Sequence, residues 1–249
     1  LKQILSDSFR VLTSGFTPIF LACLPCIALY AIGDFLMQTI SIRLSLGQAG
    51  ETIARDGAVS IVWLLLSLFL SLYLFSLAYT LISCKARSIA PQGKSLIGEA
   101  LLRSRKALLP YGLSVLLAIV TAPVFFYTYI PLFLYLVFSF MKRDNHTQGK
   151  ELPPCGLKES FRIGTRYWAR LFGAFFVICL LALICIFLTS MPQLLAFLAQ
   201  YAANSYTAHS GIAAALPGYY SPLLLSCSLI KGFFYCFAAL YAGMGCLYS

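Results

Sequence analysis

Charge is what this sequence has least of. Asp, Glu, Lys and Arg make up 10% of its 249 residues, where an ordinary soluble domain carries about 25%. Together with 60% hydrophobic residues and a mean hydropathy of +0.86, this scarcity excludes a soluble enzyme core and points to a polytopic membrane protein. Acidic residues are rarer still, 8 against 18 Lys and Arg. In a soluble chain the resulting +10 would suggest nucleic acid. In a membrane chain it reflects retention of Lys and Arg on the cytoplasmic side, so no nucleic-acid partner is expected. Histidine occurs twice, at His146 and His209, which the expected topology puts on opposite sides of the membrane. Neither belongs to an H-x-x-x-H or Cys/His cluster, so no metal site is expected. No phosphate loop or dinucleotide fingerprint forms around Gly164, Gly173, Gly243 or Gly245, and neither a catalytic set nor a cofactor is expected. The Ala238-x-x-x-Ala242 spacing next to Gly243 favours close helix packing instead.

Long uncharged runs are abundant, and a transmembrane helix needs about 20 predominantly apolar residues. Phe16 to Gly33 is the first, with helix able to continue past Asp34 to Ile40, and Gly57 to Cys84 is the second. Ala107 to Met141 is free of charge for 35 residues and carries Pro110, Pro123 and Pro131. At ~1.5 Å rise per residue it is too long for one straight helix across a ~30 Å core. Leu171 to Ile230 holds no Asp, Glu, Lys or Arg, but Ala203-Asn204-Ser205-Tyr206-Thr207-Ala208-His209-Ser210-Gly211 and Pro217-Gly218 read as a loop. A fifth span therefore runs from Leu171 to about Phe187 or a turn or two beyond. A sixth runs from about Ser221 to Tyr248, interrupted by Lys231.

Charge decides the number of crossings. Lys85 to Lys106 holds six basic residues against Glu99, and Lys142 to Arg170 holds seven against Asp144, Glu151 and Glu159. Both segments belong on the cytoplasmic side, so Ala107 to Met141 must cross an even number of times. It is expected to form a hairpin of two short spans, turning between Ala122 and Pro131. The expectation is an all-α, polytopic helical bundle of six transmembrane helices in the inner (plasma) membrane, both termini cytoplasmic. Of the 18 Lys and Arg, 15 then lie inside, and the outer loops hold only Arg43 and Arg55.

Spans 1, 3 and 5 share an entry pattern. Leu5-x-x-Ser8-Phe9, Ile97-x-x-Ala100-Leu101 and Leu157-x-x-Ser160-Phe161 each place an apolar, a small and a large apolar residue about ten positions ahead of the apolar run. In the first, Leu1, Ile4, Leu5, Ser8, Phe9 and Leu12 share one helical face while Lys2, Asp7 and Arg10 fall elsewhere. These are candidate amphipathic interfacial helices, with Tyr167 and Trp168 as interface anchors. Arg103, Arg105, Lys106, Arg162, Arg166 and Arg170 are the candidate contacts to anionic lipid or a partner protein. The chain is expected to form a single membrane domain over residues 1–249. Either it repeats a helix-plus-hairpin unit over 1–84, 93–141 and 154–248, or any helix entering from the cytoplasm has this form.

The run Gly156-Leu157-Lys158-Glu159-Ser160-Phe161-Arg162-Ile163-Gly164-Thr165-Arg166-Tyr167-Trp168-Ala169-Arg170-Leu171-Phe172-Gly173 resembles bacterial membrane-domain families. These are the families related to the glycerophosphoryl diester phosphodiesterase membrane domain and the YciC-like inner-membrane proteins. Ser95 to Leu117 and the Ile130-Pro131 break are similar too. The resemblance implies a six-helix inner-membrane bundle, sometimes joined to a soluble lipid-headgroup hydrolase, of which these residues show no trace. Ser41 to Asp56 matches nothing in that pattern.

Asp34 and Lys231 are the two charges inside the expected spans. A charge at the helix centre costs at least ~2.5 kcal/mol on insertion scales, so such residues pair or line a polar path. Counted along the helices, Asp34 lies about 27 Å from the inner boundary and Lys231 about 15 Å from the outer one. Three readings follow: Asp34 in the outer headgroup zone with Lys231 snorkelling towards it, a structural pair, or a transport or proton site.

Cys23-Leu24-Pro25-Cys26 has thioredoxin-like spacing, yet inside a span a thiolate is poorly solvated, and most of the nine cysteines read as small apolar residues. No cysteine lies in the expected outer loops, so no disulfide framework follows. Tyr201, Tyr206, Tyr219 and Tyr220, with Pro217 and Pro222, form an amphipathic outer segment suited to the outer leaflet or a partner. The leading functional expectation is a non-enzymatic membrane subunit or scaffold that binds the phospholipid bilayer and partner proteins. The alternatives are a transporter or lipid-handling channel using Asp34 and Lys231, and a membrane redox enzyme using Cys23 and Cys26.

Overall fold

A computed structural model of the chain describes residues 2–45, 53–86, 93–121, 128–146, 157–211 and 218–248. Among the described residues there is no strand, and eight helices occur. They are α1 (Lys2–Ser14), α2 (Phe16–Ser45), α3 (Ile53–Ala86), α4 (Gly93–Thr121), α5 (Tyr129–His146), α6 (Leu157–Arg166), α7 (Trp168–Ser210) and α8 (Tyr220–Tyr248). Long Leu, Ile, Phe and Ala runs favour helix wherever water is excluded, because every backbone group then finds its partner within the segment. Pro25, Pro110 and Pro192 stand inside helices. Beside Pro192, the Thr189 hydroxyl donates to the Cys185 carbonyl at 2.9 Å and that of Ser190 to the Phe187 carbonyl at 2.9 Å. These bonds satisfy the two hydroxyls inside the helix, while the carbonyl that Pro192 leaves without its usual N–H donor is that of Leu188.

Among the described residues, four helices are long and apolar enough to cross a membrane, over Phe16–Ser41, Arg55–Lys85, Leu171–Thr207 and Tyr220–Leu247. Six such spans were expected, and the shortfall lies in the hairpin. Lys94, Glu99, Arg103, Arg105 and Lys106 occupy the first half of α4, leaving residues 107–121, about 22 Å of helix. The apolar run of α5, Tyr129–Ser139, is shorter still. Pro131 sits in the first turn of α5, where its missing N–H costs nothing. The expected turn falls largely on 122–127, outside the described residues.

α7 corrects a second expectation. It is helical for 43 residues, through the segment read as a loop from Ala203 onward. The polar side chains there bond back to their own helix: Thr207 Oγ1 to the Ala203 carbonyl at 2.9 Å, His209 Nδ1 with the Ser205 carbonyl at 2.8 Å, and Ser210 Oγ to the Tyr206 carbonyl at 2.7 Å. The helix stops at Gly211, whose φ of 69° is the left-handed cap glycine adopts without strain. Tyr201 and Tyr206 therefore stand on a helix rather than in a loop.

The described residues form two compact units. The first comprises Leu1–Ile19, Leu72–Leu180 and Leu240–Ser249. Leu72, Tyr79, Ala107 and Leu136 form a core flanked by Phe75, Tyr111 and Leu247. Gly164 on α6 lies directly against Pro131 on α5, and Gly245 on α8 against Ile178 on α7. The second comprises Phe20–Ser71 and Leu181–Ala239, with Ala196, Tyr220, Leu224 and Phe35 packed together. There Gly33 on α2 leaves the room that the Trp63 ring of α3 fills.

Ser8, Ala100 and Ser160, the small residues of the entry pattern, are all fully buried. Phe9, expected on the same apolar face as Ser8, is instead exposed at 63%, and Leu101 in the second copy is exposed at 49%. The side chains of Leu1, Ile4 and Leu5 lie outside the described residues. α1 and α6 both end within a residue of position seven after the small residue, at Gly15 and Tyr167, while α4 runs on unbroken.

Candidate functional site

The second unit brings the two intramembrane charges together. Asp34 is three turns from the C-terminal end of α2 and Lys231 lies in the first half of α8, and Lys231 Nζ donates to Asp34 Oδ1 at 2.8 Å. Side-chain exposures of 18% for Lys231 and 15% for Asp34 put the pair largely, not wholly, inside. The other carboxylate oxygen is held by amides and a hydroxyl. Gln193 of α7, itself buried, donates from Nε2 to Asp34 Oδ2 and to Ser228 Oγ, the latter at 2.9 Å. Gln38, one turn after Asp34, and Ser228, three residues before Lys231, both reach Oδ2 at 3.4 Å. A buried carboxylate is tolerated when a counter-charge and hydrogen bonds replace its water, and all three helices supply them here.

Aromatic rings lie beside the ammonium. Lys231 Nζ is 6.0 Å from the Tyr30 ring centre, within reach of a cation–π attraction. Tyr30 stacks on Tyr235 at 4.5 Å and meets Trp63 edge-on at 5.8 Å. The Tyr220 hydroxyl, expected to face the outer leaflet, is buried and donates to the Ala196 carbonyl. Gln193, Ser228 and Gln38 were not singled out by the sequence. The signal was present in the spacing of Asp34 with Gln38 and of Ser228 with Lys231, which puts two polar groups on one face of each helix.

The basic residues divide. Arg105, Lys106, Arg162 and Arg166 are exposed, and Arg162 pairs with Glu159 one turn back, at 3.0 Å. Arg166 lies over the Tyr167 ring at 5.6 Å, and Trp168 stacks on Phe172 at 4.7 Å. Arg103 is turned inward, with 11% exposure, 3.7 Å from Glu99 and 5.2 Å from the Tyr79 ring centre. It is thus a packing residue of the first unit rather than a surface contact. The side chain of Arg170 lies outside the described residues. Cys23, Cys26 and Cys236 are buried as free thiols. Comparison with protein-family models, curated proteins and solved structures finds no match to this chain.

Proposed function

We propose that the chain is a non-enzymatic, six-span inner-membrane subunit or scaffold with both termini cytoplasmic. It binds anionic lipid headgroups or a partner protein through the basic faces of α4 and α6. The observation that carries this reading is the exposure of Arg105, Lys106, Arg162 and Arg166 on helical segments that lead directly into apolar runs. Ammonium and guanidinium groups at that position meet the negative cytoplasmic leaflet, each worth about 1 kcal/mol near the surface. The short arms of α4 and α5 suit a hairpin accommodated by local thinning or burial in a bundle. Three copies of one unit, 1–84, 93–141 and 154–248, are supported by the buried small residue common to α1, α4 and α6. The resemblance to the phosphodiesterase membrane domain and YciC-like families points the same way.

Co-purification after gentle crosslinking in native membranes tests the partner role, and lipid retention in mild detergent tests the lipid role. The expected result is a stoichiometric partner or retained anionic lipid, lost when Arg105, Lys106, Arg162 and Arg166 are all changed to Gln. A protein that emerges alone and lipid-indifferent overturns the proposal.

A further inference from the structure

The charged centre of the second unit carries more than a helix clasp needs. An ammonium has three N–H donors, and among the described residues Asp34 is the one hydrogen-bond acceptor of Lys231. Two donors therefore remain beside a ring face. On the other side of the carboxylate, the Gln38 Oε1 is buried and has no donor among the described residues. Gln38 spends an amide N–H on Asp34, and the carbonyl oxygen of the same amide is left without a donor. Spare donor and spare acceptor capacity thus flank one ion pair, which is itself partly open.

Charge selects what can use that capacity. A lone anion on the spare donors of Lys231 would set a second negative charge beside Asp34 with one counter-charge for the two, and a lone cation on Asp34 would do the same to Lys231. Either leaves an unpaired buried charge, which is strongly disfavoured. A solute carrying both signs opens the pair without changing the net charge and gives each residue a replacement partner.

The geometry points to the Asp34–Lys231 pair as a binding site for a zwitterion that carries an ammonium and an anionic oxygen a few ångströms apart. The ammonium of the ligand donates to Asp34 Oδ1 and Gln38 Oε1, and its anionic oxygen accepts from Lys231. Gln193 and Ser228 stay on Asp34 Oδ2 and hold the carboxylate in place throughout. Tyr30 lies beside the site of charge exchange. A free amino acid and an aminoethyl-phosphate lipid headgroup both have this chemistry.

The test uses the full chain in nanodiscs of phosphatidylglycerol, which has no ammonium. Trp63 emission is the readout, because its ring meets Tyr30 edge-on beside the pair, in a Trp168→Phe background. One arm titrates glycine and 4-aminobutyrate against acetate and methylammonium. The other raises the mole fraction of phosphatidylethanolamine at constant total lipid. A saturable response in one arm, at least tenfold tighter for the zwitterion than for its single-charge counterparts, is expected, and the arm that responds identifies the source. Lys231→Met and Asp34→Asn are each expected to weaken it at least tenfold. Should either variant fail to fold, the wild-type ranking of zwitterion against single-charge ions decides. Acetate or methylammonium binding as well as the zwitterion, or no saturable response in either arm, overturns the proposal.

Discussion

Asp34 and Lys231 are 197 positions apart, yet their side chains meet at 2.8 Å. Removing one partner of such a pair leaves the other charge uncompensated and is expected to cost roughly 3–5 kcal/mol. Lys231→Met alone should therefore destabilise the chain far more than it does when combined with Asp34→Asn, as read from unfolding midpoints in mixed micelles. Equal and additive losses would show that the two residues are not coupled. Glycines provide a second contrast. A Cβ on Gly164 would lie 2.9 Å from the Pro131 backbone, whereas one on Gly112 meets nothing within 4 Å. Gly164→Ala is expected to lose about 1–3 kcal/mol through overpacking. Gly112→Ala should be neutral or stabilising by about 0.5–1 kcal/mol, since it lowers the entropy lost on forming the helix. The same melts measure both. None of these contacts can be read from spacing, because helical periodicity tells which residues share a face and not which face they meet.

At the scale of the helix, α7 departs furthest from expectation. Asn204, Ser205, Thr207, His209 and Ser210 have loop-forming composition, but the side chains of Thr207, His209 and Ser210 bond the carbonyls one turn back and the segment stays within a helix. Hydrogen exchange should find the amides of 204–211 protected, that of Gly211 included, since it donates to Thr207 at 3.0 Å. Ser205→Pro should abolish the protection, and fast exchange in the unmodified chain would return the segment to a loop. The same helix is unevenly packed. Ile178 is fully buried and Gln193 is buried, while every residue between them has at least a partly exposed side chain. Ile178→Ala should cost about 2 kcal/mol by opening a cavity. Leu183→Ala, at an exposed position, should stay within about 0.5 kcal/mol.

For the whole chain, the six-span proposal makes its own prediction. Reporters placed at residues 88, 149 and the C-terminus should read cytoplasmic, and those at 48, 124 and 214 periplasmic; a periplasmic signal at 149 would break the hairpin. Much of the all-helical, apolar architecture was legible in the residues alone. Uncharged runs locate the apolar helices, since the cost of charge in hydrocarbon is a property of single side chains. Basic clusters set the expected orientation, since Lys and Arg retention depends on local sequence. The helical segments ahead of three apolar runs could be read from spacing because amphipathicity is periodic. Partnership was beyond such reasoning. That Arg103 turns in while Arg105 and Lys106 face out, that Gln193 completes the carboxylate of Asp34, and that Ser8, Ala100 and Ser160 are all sealed follow from contacts between segments far apart in the chain. Hydropathy is additive along the sequence, whereas an ion pair or a close glycine contact exists only once two distant helices are held side by side.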